Sequence, residues 1–186
     1  LPVVFGLAIA FPLGLLSIRF PRLYEPLLGI TGVLFTIPSL ALFVLLIPFT
    51  GLSRSSAVIG LTLYTLLILL RNIVEGLNAV PRDVREAAEA MGYRRTRQLL
   101  QVELPLALPV IIAGIRIATV TTIGLVTVTA LIGQGGYGQF FIDGYLRRFP
   151  TPLLVGLVLS VALAVLADLG LLGVLRALTP WTRRAE

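Results

Sequence analysis

The groups able to carry charge or move a proton in this 186-residue chain are fifteen arginines and nine carboxylates, beside five tyrosines; lysine, histidine and cysteine are absent. Without histidine or cysteine, the usual ligands of structural zinc and the usual triads and dyads cannot be assembled. No metal site, disulfide or catalytic centre is expected, and the chain reads as a non-enzyme. Two charges, Arg116 and Asp168, interrupt otherwise apolar runs. A charge inside a membrane span is costly unless paired, and both lie about ten residues, roughly 15 Å, from the same end of their runs. An ion pair between them that holds the helices together is expected, with substrate binding as the alternative.

The remaining charge is concentrated in residues 81–105, PRDVREAAEAMGYRRTRQLLQVELP, which hold five arginines and four acidic residues. Pro81 suits the start of a helix, Asp83 and Glu86 favour its positive end, and Gly92 suits its close. Val84, Ala87, Ala88 and Met91 recur at helical spacing and predict one narrow apolar face opposite a charged one. A second helix is predicted from Thr96 through Leu104, with Pro105 opening the next span. Taken alone, the stretch fits either a docking element or a solvated interfacial helix.

Gly133, Gly135, Gly136 and Gly138 fall within six residues and permit backbone geometries closed to other residues. A phosphate cradle would need a preceding strand and a following Lys, and the chain has neither. A tight turn followed by a short amphipathic segment (Phe140, Phe141, Tyr145) is the better reading. Pro38, flanked by Thr36 and Ser39, sits in the middle of an apolar run and is expected to kink or open a helix there. These three are candidates for lining a path.

The elements that position these residues are membrane spans. Hydrophobic residues make up 57% of the chain and charged ones 13%, and mean hydropathy is +0.99, whereas a soluble domain carries charge nearer a quarter. One all-α integral membrane domain over 1–181 is predicted, with five spans at about 1–18, 27–49, 56–73, 106–132 and 151–178. The third span is expected to end near Arg71 and Asn72. The first run falls short of a full crossing, so a short preceding piece is expected to complete it, and Trp181 is a candidate interfacial anchor. No internal repeat is evident. Thr, Val and Ile in the fourth span would favour strand in water, but in lipid the backbone must satisfy itself and helix is expected. If residues 81–105 are cytoplasmic, eleven arginines lie inside and three outside. That balance predicts an outside N-terminus and a cytoplasmic C-terminus.

The order Glu86, Ala87, Ala88, then Gly92, then Val102, Glu103, Leu104, Pro105 resembles the Glu-Ala-Ala loop of permease subunits in binding-protein-dependent ABC importers of the type I fold. The likeness extends through VELPLALPVIIAGIR (102–116), TIPSLALFVLLIP (36–48) and IGQGGYG (132–138). Together these are most similar to the branch importing glycine betaine, carnitine and choline. The resemblance implies an ABC type I importer transmembrane domain in a bacterial or archaeal cell membrane. Its cytoplasmic loop would dock as a coupling helix on an ATPase subunit through Glu86, Ala87, Ala88, Gly92 and Pro105. It implies that the Gly-rich connection belongs to the outer gate and the docking surface of an extracytoplasmic binding protein. Tyr137 and Gln134 depart from that motif, where leucine and a small residue are more usual. The implied partners are a second permease copy or paralogue, two cytoplasmic ATPases that hold ATP and magnesium, and the binding protein. No Walker motif is present, no cofactor is expected on this chain, and no nucleic-acid partner is expected. A methionine or phosphonate importer is the alternative cargo class, and a membrane scaffold or channel without ATPase the alternative function.

Overall fold

The computed structural model describes residues 1–180, and every regular element among them is helical. In chain order these are α1 (Pro2–Arg19), a 3₁₀ turn (Pro21–Leu23), α2 (Tyr24–Thr36), α3 (Ser39–Thr50) and α4 (Arg54–Asn78). After α4 come α5 (Arg82–Ala90), α6 (Arg95–Gln98), a π-helical segment (Leu99–Glu103) and α7 (Leu104–Val126). A second 3₁₀ turn (Thr127–Ile132), α8 (Gly138–Leu146) and α9 (Pro150–Leu178) complete the order.

Helix α4 is the centre of the bundle because both its flanks receive a helix at close range. On one side α1 presents Gly6, Ala10, Gly14 and Ser17, its buried residues. A Cβ at Gly6 would strike Thr65 and one at Gly14 would strike Ile73, so the two backbones approach as only small residues allow. Both pairs advance together, so α1 and α4 run parallel. On the other side α7 is antiparallel: Gly114 seats against Asn72, and Gly76 lies against the Ala107 carbonyl and Val110. Leu69, Leu70, Ile73 and Leu77 fill the space between, all buried. In α7 and the turn after it, the hydroxyls of Thr119, Thr122, Thr127 and Thr129 donate to carbonyls three or four residues earlier at 2.7 Å. These four hydroxyls are thereby satisfied within the run, and helix forms as lipid requires.

The predicted second span is two helices rather than one kinked helix. Pro38 has no backbone N–H and disfavours helix at the preceding residue. Ile37 accordingly lies extended (φ −62°, ψ 128°), and α2 and α3 meet at 96°. The pair nevertheless crosses the bundle: Tyr24 packs at the end where α4 finishes, whereas Thr50 hydrogen-bonds Ser56 at the end where α4 begins. Pro2–Arg19, Arg54–Asn78, Arg95–Ile132 and Pro150–Leu178 are each long and apolar enough to cross a membrane, and the bent pair counted as one span brings the candidates to five.

Two further boundaries differ from expectation. Helix α4 continues to Asn78, past the expected end at Asn72, because Asn72 is shielded at Gly114 and donates its amide to the Ile68 carbonyl at 2.8 Å. Pro105 stands in the first turn of α7 as expected, but α7 does not start afresh: the helical run from Arg95 to Ile132 is continuous, with a π-turn just before Pro105. Trp181 lies outside the described residues.

Candidate functional site

The polar stretch folds where α1 and α4 end and α7 begins. Helix α5 is entered through Pro81, with Asp83 in its first turn, and it is left through Gly92 at φ +80°. The apolar face read from the sequence splits in two. Ala88 is buried, 1% exposed, and Val84 is half-buried with it. Ala87 is exposed and Met91 is 69% exposed. Ala88 therefore seats α5 on its own chain and is not available to an outside partner, whereas Glu86, Ala87 and Met91 are. Glu86 accepts a hydrogen bond from Arg82 Nε at 2.7 Å on that outer face. Nothing lies within 4 Å of a Cβ built at Gly92, so glycine answers the positive φ, and the space beside it is open. Pro105 is half-buried in the first turn of α7, away from the exposed face of α5.

Arg116 and Asp168 are brought together as the sequence indicates. The guanidinium donates from Nε and Nη2 to the two carboxylate oxygens, each at 2.7 Å, tying α7 to α9. The side chains are 27% and 32% exposed, so the pair lies at the helix seam and not in the deep core. At the opposite end of α7, Gly133, Gly135 and Gly136 all take positive φ, which only a glycine-rich turn can supply in such close succession. Gly138 differs: a Cβ there would run into the Thr127 carbonyl, so it permits α8 to close on the 3₁₀ turn. At the α2–α3 break, Thr36 is exposed and returns its hydroxyl to the Val33 carbonyl at 2.8 Å. Pro38 is exposed and Ser39 half-buried beside it.

Residues 3–182 match the family described as binding-protein-dependent transport system inner membrane component. The chain belongs to this family. Among its relatives, the carnitine transport permease protein OpuCB of Listeria monocytogenes is 35% identical over 178 residues, 96% of this chain and 82% of the relative. The choline transport system permease protein OpuBB of Bacillus subtilis matches to the same extent. The osmoprotectant import permease protein OsmW of Salmonella typhimurium is 38% identical over 173 residues, 90% of this chain and 80% of the relative. Of solved structures, an inward-facing form of the MetNI methionine ABC transporter superposes with a TM-score of 0.82 at 28% identity, covering 96% of this chain and 89% of the other.

Three residues of this inner membrane component matter to the site and carry no motif. Arg85, on the inner side of α5, donates from Nη2 to the Leu77 carbonyl at the end of α4 and lies 3.8 Å from Glu103. Gln98 is buried, with its amide 3.5 Å from the Arg85 carbonyl. Tyr64 donates its hydroxyl to the Ile37 carbonyl at the α2–α3 break, and its ring meets Phe35 edge-on at 5.7 Å. Arg85 is one of five arginines in its stretch, and nothing in its spacing separates it from the solvated ones. Among the described residues no group of three or more carboxylates converges to hold a metal.

Proposed function

We propose that the chain is the permease subunit of an ATP-driven importer of quaternary ammonium osmoprotectants such as glycine betaine, choline or carnitine, working by alternating access. The observation that carries the cargo class is the run of relatives named for these solutes at 34–38% identity, against 28% to the methionine transporter. The outer face of α5, with Ala87 and Met91 exposed beside the open space at Gly92, supports its use as the coupling helix for a cytoplasmic ATPase. In this reading two copies, or this chain and a paralogue, enclose the path, and two ATPases bind ATP and magnesium. An extracytoplasmic binding protein delivers the solute at the end that carries the Gly-rich turn. The N-terminus is external and the C-terminus cytoplasmic. Quaternary ammonium groups are commonly held by aromatic cages, and the one aromatic pair among the described residues is Phe35 with Tyr64. In this reading, as the family resemblance implies, selection sits mostly in the binding protein.

The test is uptake of radiolabelled glycine betaine, choline and methionine in cells lacking their own importers, with the operon's ATPase and binding protein co-expressed. ATP-dependent uptake of betaine or choline is expected. Uptake of methionine alone would select the second reading, a methionine importer, which the superposition with MetNI favours.

A further inference from the structure

We infer that Arg85 is a positioning residue that transmits movement of α5 to α4 and α7, acting through Glu103 and the Leu77 carbonyl; this rests on the coupling role proposed for α5. Four observations converge on it. Arg85 is the residue of α5 that bonds to the end of α4, through Nη2 and the Leu77 carbonyl. That carbonyl lies in the last turn of α4, where the helix dipole favours a cation. On its other edge Arg85 Nε is buried without a hydrogen-bond partner, and the nearest carboxylate oxygen, on Glu103, stands 3.8 Å away. This is within ion-pair range and beyond a hydrogen bond.

Glu103 closes the π-helical segment that leads into α7, and its side chain is only 13% exposed. A π-turn is a local irregularity that can take up a shift without breaking the helix around it. Beside these groups opens a cleft of about 770 Å³, lined by Arg85, Glu89, Gln98 and Glu103 on one side and by Arg19 of α1 on the other. Arg85 and Glu103 thus both border free volume. When α5 is pressed toward the membrane, the guanidinium, already fixed at α4, closes on Glu103 and draws the start of α7 with it. Ala88 and Val84 seat α5, but apolar contact alone gives no such directional link to both helices.

The experiment uses the intact transporter with its ATPase and binding protein in liposomes, comparing wild type with Arg85→Gln, Glu103→Gln and Arg85→Lys. The readout is ATP hydrolysed per radiolabelled glycine betaine imported. Both glutamine variants are expected to retain the ATPase on purification while the ratio rises by about five-fold or more, the lower range of ordinary coupling energies. Arg85→Lys, which keeps the charge and one donor, should fall between. A variant that merely folds less well lowers both rates together and leaves the ratio alone. An unchanged ratio in both glutamine variants, or loss of the ATPase from either, overturns the assignment. Failure of the wild-type complex to import glycine betaine, choline or carnitine would instead overturn the osmoprotectant-importer reading itself.

Discussion

Ala87 and Ala88 are adjacent and identical in type, yet one is exposed and the other buried. A larger side chain should therefore separate docking from folding. Ala87→Trp is expected to leave the membrane-inserted chain intact and to prevent co-purification of the ATPase, whereas Ala88→Trp should reduce the yield of folded chain itself. Detergent-solubilised yield and pull-down together distinguish these outcomes. Gly92→Ala meets no steric neighbour but must hold φ +80°, a strain of about 1–2 kcal/mol. It should weaken ATPase retention more than it lowers chain yield. The positions and types of these residues were legible in the sequence, as was the need for Gly92. The rotation of α5 was not, because nine residues with apolar positions on two sides admit more than one seating, and Arg85 with Gln98 decides between them.

At the level of helices, proline alone did not tell how far a span would depart from straight. Pro12, Pro48 and Pro109 sit inside continuous helices, whereas Pro38 breaks one by 96°. The difference is a partner for the freed backbone: Tyr64, twenty-seven residues away, donates to the Ile37 carbonyl. Tyr64→Phe removes that donor and should cost about 1 kcal/mol, read as a lower thermal midpoint in detergent, with uptake reduced as well. The pairing of Arg116 with Asp168 was legible because two lone charges at matched depth have few other solutions in lipid. Arg116→Gln and Asp168→Asn are each expected to cut the yield of assembled transporter several-fold, since each leaves the other charge unpaired in the membrane. The exchange Arg116→Asp with Asp168→Arg should recover much of that loss. Indifference of assembly to both single changes would remove the pair from the account of how α9 is held to α7.

Across the whole molecule, the parallel course of α1 and α4 and the antiparallel course of α7 leave two ends of unlike chemistry. One gathers Arg19, Asn78, α5 and α6; the other gathers the α3–α4 turn and the Gly-rich turn, where Phe43, Ala57, Leu61 and Ile132 cluster. In the reading proposed above the arginine balance puts the first end in the cytoplasm, and the fold adds what that count lacked, a bent α2–α3 pair that runs from one end of the bundle to the other. Because the chain contains no cysteine, single cysteines report their side without background. Ser55→Cys and Gln139→Cys, both exposed near the second end, are expected to react with a membrane-impermeant maleimide in intact cells. Ala90→Cys and Gln101→Cys, exposed at the first end, should react only after the membrane is opened. If α2–α3 turned back without crossing, the α1–α2 loop would share a side with Ser55, whereas α4 separates Ser55 from Ala90 in either arrangement. Labelling of Arg22→Cys, exposed in that loop, together with Ser55→Cys in intact cells would therefore exclude the five-crossing arrangement. Labelling of Ser55→Cys with Gln139→Cys, and of neither inner site, places the acceptor surface of α5 on the side where ATP is available.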